Sequence, residues 1–200
     1  MKTIRIDGMI VSDSMKDQYN KAKIKTVTPS EIISQLEGDD DIKLIINSMG
    51  GSVQSGNEIF TALKQYTGNI ESEIIFAASI ATVIAMASDK IVMSPTGQFM
   101  IHNVTTKADG DYRTMEQSAI TLKNMNTMIA NAYKLRVKLS DEDLKKMMDA
   151  ETWLNAKQAK ELGFVDDIMF ENSQQSYVAC FSNDISFEGG EIELENDKLT

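Results

Sequence analysis

The chain has 200 residues, a net charge of −10, 42% hydrophobic and 25% charged residues, 11 glycines and 2 prolines. These values are typical of one globular domain, with or without a tail, and exclude collagen-like, linker-like and proline-rich disordered proteins. The negative charge argues against binding to nucleic-acid phosphates, which needs clustered lysine and arginine.

Neither a membrane span nor an export signal is visible. The longest apolar stretch, residues 74–87, is shorter than the roughly 20 residues that a membrane-spanning helix needs, so we predict a buried core segment and no membrane association. The start, MKTIRIDGMIVSD, has no apolar block of signal-peptide length. The single cysteine, Cys180, cannot form an internal disulfide, which favours the cytoplasm.

The charge is concentrated at the C-terminus. Residues 171–200 hold seven acidic side chains and one lysine, and they begin with the polar run ENSQQS. We therefore predict two parts, a domain over residues 1–170 and an acidic C-terminal tail over residues 171–200. Scattered aromatic and aliphatic residues in the tail leave both a flexible segment and a docking strand open.

Strands and helices alternate in the first half of the domain. TIRIDGMI predicts a strand, Thr28, Pro29 and Glu31 form a capping box that opens a helix, and DIKLIINS predicts a buried strand before the turn SMGGS. Helical spacing follows at Ile59, Phe60, Leu63 and Tyr66, and EIIFAA predicts a further strand.

The second half continues this order. Residues 80–87 are apolar on all sides, which predicts a helix enclosed by protein, and short strands are predicted at KIVMS and QFMIHN. One face of a long helix then carries Met115, Ala119, Leu122, Met125, Ile129 and Ala132. Ser140 and Asn155 each open a further helix, the last ending at Gly163, and FVDDIMF predicts a closing strand. The whole pattern indicates an α/β domain.

Three features could carry chemistry. His102 is the only histidine, so it is the only imidazole available as a general base. Ser79 lies where a strand gives way to a buried helix, where a hydroxyl either caps the helix or acts as a nucleophile. Gly50 and Gly51 follow a strand and either make a tight turn or aim amides at an oxyanion.

No metal set is predicted. One histidine and one cysteine, far apart in the sequence, cannot supply the usual zinc ligands. Cys180 lies among carboxylates that disfavour a thiolate, which indicates an inert thiol.

Four ordered blocks, INSMGG, FAAS, MIHN and ETWLNAKQAKELGFVDDI, together resemble the Clp protease proteolytic subunit family, serine peptidases of the crotonase-like superfamily. The resemblance spans most of residues 3–170. It implies an α/β ClpP/crotonase-like fold of repeated strand–strand–helix units with a protruding long handle helix, here over about residues 113–139.

The resemblance also implies a site that needs neither cofactor nor metal. The nucleophile falls on Ser79, the base on His102 and the acid on Glu151, with Asp149 as a near alternative. The oxyanion-hole amides fall on Gly51 and Ile80. An extended substrate is expected to pair with backbone on both sides of the site, at Gly51, Ser52, Val53, Asn103 and Val104.

The chain departs from the family pattern in three places. Met49 replaces the proline before the paired glycines, Ile75 and Phe76 replace a Gly-Gln pair, and a glutamate stands where the acid is normally aspartate. None of these changes removes a catalytic atom.

Two features resemble the phage head maturation (prohead) proteases. The first strand starts near Thr3 without the longer family leader, and the chain contains YTGNI, ASDKIVMSPT and ETWLNA. This branch implies a homo-oligomeric ring, single or stacked, that processes capsid or scaffold proteins in the bacterial host cytoplasm or the prohead, without an unfoldase ATPase. Two alternatives stay open: a proteolytic subunit working with an ATP-driven unfoldase, and a catalytically silent ring-forming assembly protein.

Overall fold

The computed structural model describes residues 1–171. Met1–Phe170 form one compact unit. Apart from Glu171, the predicted acidic tail and its Cys180 lie outside the described residues. No helix in the described part has the length and apolar character needed to cross a membrane.

Eight strands and seven α-helices make up this unit. The strands are β1 (Lys2–Asp7), β2 (Met9–Ile10), β3 (Thr26–Val27), β4 (Ile42–Ser48), β5 (Ile70–Ala78), β6 (Lys90–Ile101), β7 (Thr152–Asn155) and β8 (Asp167–Ile168). The helices are α1 (Lys16–Lys21), α2 (Pro29–Ile33), α3 (Val53–Gln65), α4 (Ile80–Ala85), α5 (Tyr112–Tyr133), α6 (Asp141–Asp149) and α7 (Ala156–Glu161).

The main sheet has six strands. Its order is β1-β4-β5-β6-β7, and β8 pairs with the first half of β6. All pairs are parallel except β6 with β7, so the predicted α/β class is confirmed. β2 and β3 form a separate two-stranded parallel sheet.

The core lies between this sheet and the helices. Alternate residues of β4 are buried, as expected for a strand with one face on the core. Helix α3 buries Ile59 and Leu63, the residues whose spacing predicted it. All six residues of α4 are buried, which confirms the prediction of a helix enclosed by protein.

The helix starts are as predicted. Thr28 and Glu31 form a capping box at α2, and the side chains of Ser140 and Asn155 accept amide hydrogen bonds at α6 and α7. Gly163 follows α7 with φ of +81°, a conformation suited to glycine.

Four predicted boundaries were wrong. The strand over residues 3–10 is interrupted at Gly8, whose φ is +104° and where a Cβ would lie 2.3 Å from the Lys25 carbonyl oxygen. KIVMS and QFMIHN belong to one strand, β6, because its pairing with β5 shifts register instead of ending. The long helix ends at Tyr133 and not at residue 139, and FVDDIMF contributes only the two-residue β8.

Candidate active site

Three neighbouring strands end at the same edge of the sheet. β4, β5 and β6 are adjacent and parallel, so the residues that follow them meet at that edge. These residues are Gly50 and Gly51 after β4, Ser79 after β5 and His102 after β6. The carboxyl ends of parallel strands are the usual place for a binding site in α/β proteins.

Ser79 is held in a backbone conformation that non-glycine residues rarely adopt. Its φ is +57° and its ψ is −132°. The Ser79 amide donates to the Met100 carbonyl at 3.0 Å, which ties the turn to β6. Strained conformations of this kind persist where the surrounding structure enforces them, and they cluster at functional sites.

The strained turn directs the Ser79 hydroxyl towards His102. Ser79 Oγ lies 2.7 Å from His102 Nε2, and both side chains are half-buried. The Ser79 side chain makes no capping bond to α4, so the alternative of a plain helix cap was wrong. A hydroxyl within hydrogen-bond reach of an imidazole is the arrangement of an activated nucleophile.

The glycine pair is required by close contacts. A Cβ on Gly50 would lie 2.8 Å from Ser79 Cβ, and a Cβ on Gly51 would lie 2.1 Å from the Ile10 carbonyl oxygen. The Ile10 amide donates to the Gly50 carbonyl at 2.9 Å, and the Ser52 amide donates to the Ile10 carbonyl at 2.8 Å. The N-terminal segment therefore clamps the Gly50–Ser52 turn.

Two backbone amides at this edge are uncommitted. Within residues 1–171, neither the Gly51 amide nor the Ile80 amide donates to an acceptor. Ile80 is the first residue of α4, where helix geometry leaves an amide without a partner. Free amides beside a nucleophile are what an oxyanion hole requires.

The two candidate acids are not bonded to His102. Asp149 ends α6 and accepts hydrogen bonds from Asn103 Nδ2 at 2.8 Å and from Lys145 Nζ at 2.6 Å. The Lys145 ammonium, with the Asn103 amide, holds the pKa of Asp149 below its usual value of 3.8. Glu151 follows with φ of +50°, is exposed, and its carboxylate has no hydrogen bond or ion pair to any residue described.

A cleft of about 680 Å³ lies beside the serine and histidine, between the start of α3, the loop after β6 and α5. Gly51, Ser52, Val53 and Val104, four of the five residues expected to bind substrate, line this cleft. Asn103 does not line this cleft, because its side chain bonds Asp149 and borders a separate pocket. A smaller pocket of about 60 Å³ contains Ser79 and His102.

Sequence reasoning missed two residues at the site, Tyr133 and Thr82. Tyr133, at the end of α5, lines the small pocket and hydrogen-bonds Thr82 in α4. The sequence signal that could have found them is Thr82, the one polar residue in the otherwise apolar stretch 80–87, because a buried hydroxyl needs a hydrogen-bond partner.

Comparisons with known proteins identify the family. The family model described as Clp protease matches residues 7–172. The chain belongs to the Clp protease family. The ATP-dependent Clp protease proteolytic subunit of Mesostigma viride is 26% identical over 211 aligned positions, covering 96% of this chain and 91% of that protein. The protein of the same name from Streptococcus pneumoniae (strain Hungary19A-6) is 30% identical over 159 positions, covering 72% and 79%.

As a member of the Clp protease family, the chain is a serine-type peptidase. The α/β architecture that the resemblance implied is confirmed, with a long helix, α5, after the His102 strand.

Proposed function

We propose that this peptidase is an endopeptidase with Ser79 as nucleophile, His102 as general base and Glu151 as the acid that orients the imidazole. The observation that carries the proposal is the 2.7 Å contact between Ser79 Oγ and His102 Nε2 at the common edge of β4, β5 and β6. His102 Nε2 takes the Ser79 proton as Oγ attacks the scissile carbonyl. It then donates that proton to the leaving amine, and water later hydrolyses the acyl-enzyme.

The Gly51 and Ile80 amides bind the oxyanion of the tetrahedral intermediate. Their lack of acceptors elsewhere in residues 1–171 supports this role. Backbone donors fixed in place before the reaction cost no reorganisation as charge develops on the substrate oxygen.

Glu151 is a better candidate for the acid than Asp149. Both oxygens of Asp149 are already engaged, one by Asn103 and the other by Lys145. The Glu151 carboxylate has no such partner in the described structure, so turning it towards His102 breaks no existing bond. The extra methylene of a glutamate lengthens its reach relative to aspartate.

The substrate is an extended peptide that lies along the cleft of about 680 Å³. The cleft has backbone on both sides, at residues 51–54 and 104–109, so a peptide strand can pair with either. Side-chain selection then depends on the polar and apolar residues of α5 that close the cleft, such as Gln117 and Leu122.

The working form is a homo-oligomeric ring, and its substrates are capsid or scaffold proteins of a phage head. Support for the ring is the family itself and the exposed apolar side chains of α5, Met115, Ile120 and Met128. Support for head maturation is the resemblance of YTGNI, ASDKIVMSPT and ETWLNA to that branch.

A second candidate is the proteolytic subunit of an ATP-dependent protease, since both relatives above carry that name. The two candidates differ in whether an unfoldase stimulates degradation. Addition of a Clp-type ATPase and ATP to the ring, with a folded degradation-tagged substrate, should leave a head maturation protease unstimulated. ATP-dependent degradation of that substrate would favour the second candidate.

The test of the site is intact-mass analysis after treatment with a serine-reactive phosphonate, on samples whose ring size is recorded. Wild type should gain one adduct, whereas Ser79→Ala and His102→Ala should gain none. An unlabelled wild type in a fully assembled sample would contradict the proposed activity and favour a silent assembly protein.

A further inference from the structure

A buried chain of hydrogen bonds connects the long helix α5 with the Ser79 turn. The Tyr133 hydroxyl, at the last residue of α5, lies 2.7 Å from Thr82 Oγ1. Thr82 Oγ1 in turn donates to the Ser79 carbonyl oxygen at 2.5 Å. Thr82 is 0% exposed and Tyr133 is 1% exposed, so water does not compete for these bonds.

The direction of this chain follows from proton counting. A threonine hydroxyl has one hydrogen, and here it goes to the Ser79 carbonyl, so the Tyr133 hydroxyl must donate to Thr82. Burial raises the pKa of Tyr133, so the phenol keeps the proton that it donates.

The Ser79 carbonyl and the Ile80 amide belong to one peptide group. The described chain has no cis peptide bond, so this carbonyl and this amide hydrogen lie in one plane and point in opposite directions. The carbonyl accepts from both the hydroxyl and the backbone amide of Thr82, the latter at 3.0 Å. Two donors on the carbonyl therefore fix where the amide points.

We propose that Thr82 and Tyr133 are positioning residues that hold the Ser79–Ile80 peptide plane, and with it the Ile80 amide, in the orientation that binds the oxyanion. This inference rests on the proposed function, in which the Ile80 amide is an oxyanion donor. Donation to the carbonyl also polarises the peptide group, which makes the amide a stronger donor. Because Tyr133 ends α5, the same bonds make the oxyanion site sensitive to the position of that helix.

The test compares variants that differ by one hydroxyl. Thr82→Val removes the hydroxyl and keeps the shape, Thr82→Ser keeps the hydroxyl, and Tyr133→Phe removes the donor behind it. Because outright loss of an oxyanion donor costs about 10²- to 10³-fold in kcat, misorientation in Thr82→Val should cost about 10-fold, with KM unchanged. Tyr133→Phe should show a smaller loss, and Thr82→Ser should stay close to wild type.

An inhibitor pair separates orientation from general damage. Ser79 Oγ adds to the carbon of a peptide aldehyde, its proton passes to His102, and the resulting hemiacetal oxygen occupies the oxyanion site. The matching peptide carboxamide binds without forming this adduct. Thr82→Val should raise the Ki of the aldehyde about 10-fold and leave the Ki of the carboxamide unchanged, because only the adduct uses the oxyanion donors.

Two outcomes would overturn the inference. One is a folded Thr82→Val ring with wild-type kcat and wild-type aldehyde affinity, and the other is equal weakening of both inhibitors. Thermal unfolding is measured on every variant, and if Thr82→Val does not fold, Tyr133→Phe decides by the same criteria. A wild-type ring that neither hydrolyses peptides nor takes up the phosphonate overturns the proposed function itself, and this inference with it.

Discussion

The proposed nucleophile side of the site, Ser79 and His102, and its proposed acid side, Asp149 and Glu151, are built differently. Ser79 and His102 follow adjacent central strands and meet at 2.7 Å. Asp149 and Glu151 lie at the end of a short helix, one tied to Lys145 and the other exposed. The difference shows that adjacent strands of one sheet fix Ser79 and His102 against each other, whereas the end of an exposed helix does not fix either carboxylate against His102.

The largest expected effect comes from the nucleophile side. Ser79→Ala or His102→Ala should lower kcat by about 10⁴-fold or more, because the nucleophile and the base act in the same step and neither works without the other. The double variant should be no worse than either single variant. Peptide hydrolysis by purified rings provides the measurement. A His102→Ala ring with substantial residual activity would show that another group serves as base.

Loosening the clamp of the N-terminal segment on the Gly50–Ser52 turn should give the next largest effect. Gly51→Ala forces a Cβ against the Ile10 carbonyl, so it should lower the free energy of unfolding by about 3 kcal/mol and abolish most activity. Gly38→Ala is the matched control, because Gly38 also has positive φ, +80°, but no atom within 4 Å of its added Cβ. Urea unfolding of both variants tests the difference. Equal losses would mean that backbone strain, and not the clamp, dominates.

The acid side should respond less strongly. Glu151→Gln should lower kcat about 10-fold or more, since an orienting acid is worth up to about 10⁴-fold where it is fully engaged. Asp149→Asn should have a smaller effect, because that carboxylate bonds Asn103 and Lys145. Measuring kcat for both variants shows which carboxylate acts. A larger loss in Asp149→Asn would assign the acid to Asp149.

The smallest effect is a pH dependence at Asp149. Lys145 lowers the pKa of this carboxyl below 3.8, so the ion pair adds stability above the unfolded-state pKa and loses it as pH falls through the folded-state pKa. Lys145→Met should raise the Asp149 midpoint in a carboxyl NMR titration. Urea unfolding of this variant and of wild type should differ at pH 7 and converge in acid.

Lys146→Met is the control for that titration, since Lys146 pairs with Glu142 and Asp143 instead. It should leave the Asp149 midpoint where it is. A shift of equal size in both variants would mean that general charge, and not the Lys145 contact, lowers the pKa.

Most of the architecture could be predicted from local sequence. Periodic apolar residues located α3, a run of apolar residues located α4, and capping residues located the starts of α2, α6 and α7. The continuity of β6 could not be predicted, because it depends on a register shift against β5 that has no local signal. The length of β8 depends likewise on its pairing with β6.

The site likewise has parts that local sequence predicts and parts that it does not. Ser79, His102 and the glycine pair could be placed because each follows a recognisable strand. The hydrogen bond of Asp149 to Asn103 joins residues 46 positions apart, and residue spacing does not encode such a contact. Tyr133 was missed because an aromatic residue on an apolar helix face is normally read as core.

The bridge between Ile10 and Gly51 links local unfolding with catalysis. Ile10 is bound to the Gly50–Ser52 turn by two main-chain hydrogen bonds, and β1, just before it, is an edge strand. Opening of the first eleven residues would therefore release Gly51, the proposed oxyanion donor. Hydrogen exchange at the Ile10 and Ser52 amides thus reports how often thermal motion opens the proposed oxyanion site.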